Sequence, residues 1–161
     1  GGTPSKSSSS FHYNDALGTL PTATRTGYTF KGWSTSASGS VNVSTTTKVT
    51  GNVTYYAVWQ INSYTLTVTA GTGGTVSGGG TYNYGATATL KATPSAGYHF
   101  VKWSDGNTNA SRTVTVTGNA TYTATFEQDP YLNLDKTSLT FEAAGGTQTV
   151  KVTSNVNWTV S

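Results

Sequence analysis

The chain of 161 residues contains neither cysteine nor methionine. Without thiols there is no disulfide framework, no thiolate metal site and no cysteine nucleophile. Without methionine there is no initiator, and the chain is expected to be a processed piece of a longer protein. Charge is scarce as well: Asp, Glu, Lys and Arg together make up 9% of the residues, against about 25% in an average globular domain. The formal charge of +3 is spread from Lys6 to Lys151 without a run or stripe, so the electrostatic footprint of a nucleic-acid binder is missing and no nucleic-acid partner is expected. No stretch approaches the roughly 18 apolar residues of a membrane span, and no basic-then-apolar leader is found, so no transmembrane segment is expected within it.

Catalytic groups are equally sparse. The acids are Asp15, Asp105, Glu127, Asp129, Asp135 and Glu142, and the histidines are His12 and His99. No HExxH, GxSxG or phosphate-loop pattern occurs, and no two acids share an element at a spacing suited to acid–base work. The expectation is a protein that is not an enzyme and carries no cofactor and no metal. Asp105, Asn107 and Asn109 copy the start of a calcium loop, but Ala110 and Val116 stand where that loop needs Gly and Glu,. A tight turn is the expected role of DGNTN.

What the chain does have is hydroxyls, glycine and a repeated aromatic phrase. GYTFKGWS at 27–34 returns as GYHFVKWS at 97–104, an offset of 70, and VTGNVTYYAVW at 49–59 returns as VTGNATYTATF at 116–126, an offset of 67. A change of length between fixed motifs is what a surface loop tolerates. The match extends backwards: Gly1, Gly2 and Thr3 fall opposite Gly73, Gly74 and Thr75, and Phe11 and Tyr13 opposite Tyr82 and Tyr84. In the second copy that GGT is preceded by YTLTVTA, whose Tyr64, Leu66 and Val68 alternate with threonines as in a half-buried strand. The first copy has no such strand ahead of its GGT. Strands are expected in the second copy near 64–70, 81–84, 86–92, 98–103, 112–117 and 121–127, with glycine- or asparagine-rich turns between them. NDALGTLP admits a short helical turn capped by Asn14 or Asp15, although its equivalent GATATLKATP favours strand.

The aromatics either form a core or present a surface, and alternation favours the core. Tyr55, Ala57 and Trp59 are in phase with Tyr122, Ala124 and Phe126, while Tyr56 and Val58 become Thr123 and Thr125. Each buried aromatic removes about 150–250 Å² from water, and a small module with few Leu or Ile residues has little else to bury. Tyr28, Phe30, Trp33, Tyr55 and Trp59, with Tyr98, Phe100, Trp103, Tyr122 and Phe126, are therefore assigned to structural core. Phe30 and Trp33 are three apart and point to opposite faces of a regular strand, so a β-bulge near Gly32 must turn both inward, or one ring packs on a second layer. Sugar stacking needs an exposed ring, which leaves Tyr56 first and His99 second as glycan-binding candidates.

GYTFKGWST followed by VTGNVTYYAVW resembles the internalin B-repeat family, also called the Listeria–Bacteroides repeat. YTLTVTAGTGG through ATFE is similar to its divergent branch. The resemblance implies an all-β chain, with at most a short helical turn per module, of small β-grasp-like repeats found in tandem on bacterial surface proteins. From Asp129 onward LNLDKTSLTFEAAGGTQTVKVTSNVNWTVS alternates through Leu139 and Phe141, turns at Gly145 and Gly146, and is similar to the front part of a BACON domain, a Bacteroidetes-associated module often proposed to bind carbohydrate. Trp158 is assigned to its core. The expected organisation is a module lacking its first strand at 1–60, a complete module at 61–128 and an incomplete β-sandwich segment at 129–161, within a larger exported protein at the cell surface or outside the cell. Three roles follow: a stalk or adhesion scaffold, an adhesin for host or microbial glycans, mucin or surface proteins, and a subunit that self-associates by exchanging strands at open sheet edges.

Overall fold

The computed structural model describes residues 2–137, 139–140 and 145–159, so Gly1, Phe141 and Glu142 of the sequence reading lie outside them. Every regular element among the described residues is a strand. In the first module β1 (Thr3–Pro4) pairs with β2 (Ala23–Thr24), and β3 (Tyr28–Ser34) pairs with β4 (Tyr56–Ile61), both antiparallel. The second module contains β5 (Ser63–Ala70), β6 (Gly74–Ser77), β7 (Gly80–Asn83), β8 (Thr87–Pro94), β9 (Tyr98–Trp103), β10 (Ser111–Thr115) and β11 (Ala120–Gln128). These build a four-stranded sheet in the order β7-β5-β11-β9 and a three-stranded sheet in the order β10-β8-β6. Within the larger sheet β5 and β11, the first and last strands of the module, run parallel from Leu66 opposite Ala120 to Ala70 opposite Ala124.

The two sheets of the second module face each other across its core. Leu90 and Ala92 of β8 pack against Trp103, Ala124 and Phe126 of β9 and β11, and a second cluster gathers around Leu66, Ala88 and Val116. The first module has one cluster, made of Leu17, Ala23, Trp33 and Val43 with Phe30, Tyr55 and Trp59 against it. Strand β6 is an element that the sequence reading passed over, because its TVS lies between two glycine turns and is too short to show alternation,.

A bulge resolves the spacing of Phe30 and Trp33. Phe30 stands opposite Trp59 and Gly32 opposite Val58, which leaves Lys31 as the extra residue. The second module repeats the device: Phe126 pairs with Phe100 and Thr125 with Lys102, which leaves Val101 extra. One inserted residue shifts the side-chain alternation by one position, so both rings of each phrase turn inward. Phe30 meets Trp33 and Trp59 at centroid distances of 5.3 and 5.5 Å, and Phe100 meets Trp103 and Phe126 at 5.6 and 5.9 Å. The indole N–H of Trp33 donates to Pro21 O at 2.7 Å and that of Trp103 to Asn109 O at 2.9 Å, so neither polar tip is buried unpaired,.

Three expectations are corrected. NDALGTLP forms no helical turn: Asn14 adopts φ 67°, Asp15 Oδ2 accepts from the His12 backbone N–H, and Ala16 bridges Lys48. A left-handed residue cannot continue into a helix, and Asn14 thus occupies the place that Gly85, at φ 80°, takes in the second module. The backbone N–H of each donates 2.7 Å bonds to Val49 O and Val116 O respectively. Tyr28 is half-buried beneath the Arg25 guanidinium, 3.7 Å from its ring centroid, rather than inside the aromatic cluster. Trp158 is 47% exposed rather than core. The tail's strands, β12 (Leu132–Leu134) and β13 (Val152–Ser154), make a two-stranded ladder, and among the described residues no second sheet faces it to cover an indole,.

The DGNTN segment is a turn, as its composition requires. Asn107 N–H donates to Asp105 Oδ1, Asn109 N–H to Asn107 Oδ1, and Arg112 Nη1 reaches both Asp105 oxygens at 2.7 and 2.6 Å. The hydrogen bond from Arg112, more than any other cause, holds the Asp105 carboxyl below the usual carboxylate range. A depressed carboxyl stabilises the fold above its unfolded pKa, about 3.9, and loses that contribution as pH falls through its folded value. Arg112→Ala is expected to return Asp105 to the ordinary range in an NMR titration. Because the carboxylate is partly solvated, the cost at neutral pH should be about 0.2–1 kcal/mol and should vanish at low pH. Trp103 is fully buried, and Trp103→Ala should destabilise the second module by about 3–5 kcal/mol in denaturant unfolding.

Candidate functional site

The two glycan candidates lie apart. Tyr56 begins β4 in the first module and is 41% exposed, while His99 lies on β9 of the second. No ring pair or hydrogen bond joins them among the described residues. His99 is also not a free side chain: its Nδ1 stands 2.9 Å from Asp129 Oδ1, and the carboxylate accepts the bond. The sequence contains no local signal for this pair, since the partners meet only through the β9–β11 ladder.

His99 and Asp129 belong to a bracket that occurs twice. At the end of the first module the Asn62 backbone N–H donates to Gly27 O at 2.9 Å, and Thr29 Oγ1 donates to Asn62 Oδ1 at 2.6 Å. At the end of the second, Asp129 N–H donates to Gly97 O at 2.8 Å and His99 takes the place of Thr29. In each case the residue that leaves the last strand is tied back to the glycine that opens the aromatic phrase. The chain is thereby passed on from the same point of each module.

At the first bracket the joint is also packed. Tyr84 N–H donates to Asn62 O at 2.8 Å, its ring lies edge-on to Tyr64 with centroids 6.4 Å apart, and a Cβ on Gly27 would overlap that ring. Gly27 adopts φ 75°, so both conformation and closeness favour glycine there,. At Gly97, with φ 74°, a Cβ would meet nothing within 4 Å. The two phrases are alike in sequence and backbone, and only the first is covered by a following module's tyrosine.

No helix among the described residues is long and apolar enough to cross a membrane, and no group of three or more His, Asp or Glu residues among them is placed to hold a metal ion. Residues 1–58 match the family model described as the Listeria-Bacteroides repeat domain, and residues 64–130 match the divergent InlB B-repeat domain. No curated protein and no solved structure matches the chain. The chain is thus similar, over two consecutive segments, to a Listeria-Bacteroides repeat and then to a divergent InlB B-repeat, which supports repeat modules in tandem.

Proposed function

We propose that the chain is a non-catalytic spacer of a bacterial cell-surface or exported protein, in which the repeats hold one another at a set placement and so extend or present other parts of that protein. The observation that supports this reading is the joint: a hydrogen-bonded bracket at Asn62, closed by the Tyr84 ring seated on Gly27. A flexible linker would need neither. The units of the spacer are residues 1–60, 61–128 and 129–161, the last a BACON-like segment. A role as a glycan adhesin is the second reading, favoured by the exposed ring of Tyr56. It predicts saturable signals on a glycan array that Tyr56→Ala abolishes.

The glycine pair offers an internally controlled test of the spacer. Ala at either position meets the strain of a positive φ, about 1–3 kcal/mol, but only at Gly27 does the new methyl strike a neighbouring module. With one spin label on each module, Gly27→Ala should broaden the distance distribution in pulsed electron paramagnetic resonance, and Gly97→Ala should leave it unchanged. An unbroadened Gly27→Ala distribution would refute the joint as the source of rigidity.

A further inference from the structure

The loop after the aromatic phrase differs in kind between the modules. In the first it reads TSASGSV at 35–41 and carries no acid, whereas in the second it reads DGNTNA at 105–110. Asp105–Gly106 is the one place in the sequence where Asp or Asn precedes glycine. Glycine has no Cβ to hold its amide nitrogen away from the preceding side chain, and attack by that nitrogen on the carboxyl carbon closes a five-membered ring within one residue. Gly106 adopts φ 85°, and the space where its Cβ would stand is open.

Two contacts restrain that attack. The Asp105 side chain is 39% exposed and open to water, but both its oxygens are held by Arg112 Nη1. Arg112 is itself fixed from the core side: β10 sets it opposite Leu90, and its guanidinium stands 5.5 Å from the ring centroid of Tyr122. A cation placed in advance keeps the carboxyl ionised. An ionised carboxylate repels an incoming electron pair and has no hydroxyl to lose, so only the neutral form reacts. The Gly106 N–H, for its part, donates to Trp103 O at 2.9 Å.

We propose that Asp105 is a site of spontaneous isoaspartate formation and that Arg112 sets its rate. The Gly106 nitrogen bonds to the Asp105 side-chain carboxyl carbon, and the carboxyl hydroxyl leaves with the amide proton as water, giving a cyclic imide. Water then adds to one of the two imide carbonyls. Cleavage at the side-chain carbonyl restores Asp105, and cleavage at the main-chain carbonyl leaves Gly106 joined through the side chain, with one more methylene in the backbone. The loop so lengthened carries the carbonyls that hold Trp103: Asn107 O accepts its backbone N–H at 2.8 Å and Asn109 O its indole N–H at 2.9 Å. A change at the surface turn therefore reaches the core of the second module, and the first module has no equivalent.

The test incubates the 161-residue chain and its variants at neutral pH and physiological temperature. Isoaspartate is counted by methyl transfer from S-adenosylmethionine with an isoaspartyl methyltransferase and located by tandem mass spectrometry. Above a carboxyl's pKa, raising that pKa by one raises the neutral fraction about tenfold. Because the pair is partly solvated, Arg112→Ala should accumulate isoaspartate at position 105 about threefold or more faster than the parent chain. Arg112→Lys keeps a cation without the two-pronged contact and should fall between them. Asp105→Glu, which would have to close a six-membered ring, should lose the signal. Three results would each overturn the proposal: Arg112→Ala no faster than the parent chain, Arg112→Lys no slower than Arg112→Ala, or an undiminished signal in Asp105→Glu.

Discussion

A sheet module of about sixty residues has one inner face with which to exclude water, and few large aliphatic side chains are present here to cover it. Everything else rests on bringing two aromatic rings of one strand onto that face although they are three residues apart. The inserted residues Lys31 and Val101 do this. A strand without the bulge would send one ring of each phrase to solvent, and the indole would lose its carbonyl partner together with its packing. With the bulge in place, the tryptophan sits between the two sheets and its N–H reaches a loop carbonyl, which ties an irregular segment to the core.

From that core follow the properties of the edges and ends. The parallel pair β5–β11 places the module's entry strand beside its exit strand, so entry and exit share one sheet. Such a module can be strung in series, and the bracket from Asn62 to Gly27 shows how the chain is handed on.

How much of this is legible in the amino acids varies by residue. Alternation at Tyr55, Ala57 and Trp59 and its return at Tyr122, Ala124 and Phe126 identify strands and their inner faces, because the period of a strand is a local property. The need for a bulge is legible too, from a spacing of three between rings. The turn at Asn14 is not, because asparagine there reads as a helix cap until its φ is seen to be positive. Nor are Tyr28 beneath Arg25, His99 against Asp129, or Trp158 left half-exposed. Each depends on what another element brings alongside.

Gly27 and Gly97 show where the division falls. They open the same aromatic phrase, have nearly the same positive φ and donate no side chain to anything. Sequence alone determines that both are turns ahead of a bulged strand in a tandem all-β repeat, because turn conformation, alternation and repeat offset are encoded within a few residues. Only the tertiary structure decides that Gly27 carries the ring of Tyr84 while Gly97 stands open, because that contact is made between modules, by a side chain whose approach no neighbouring residue specifies.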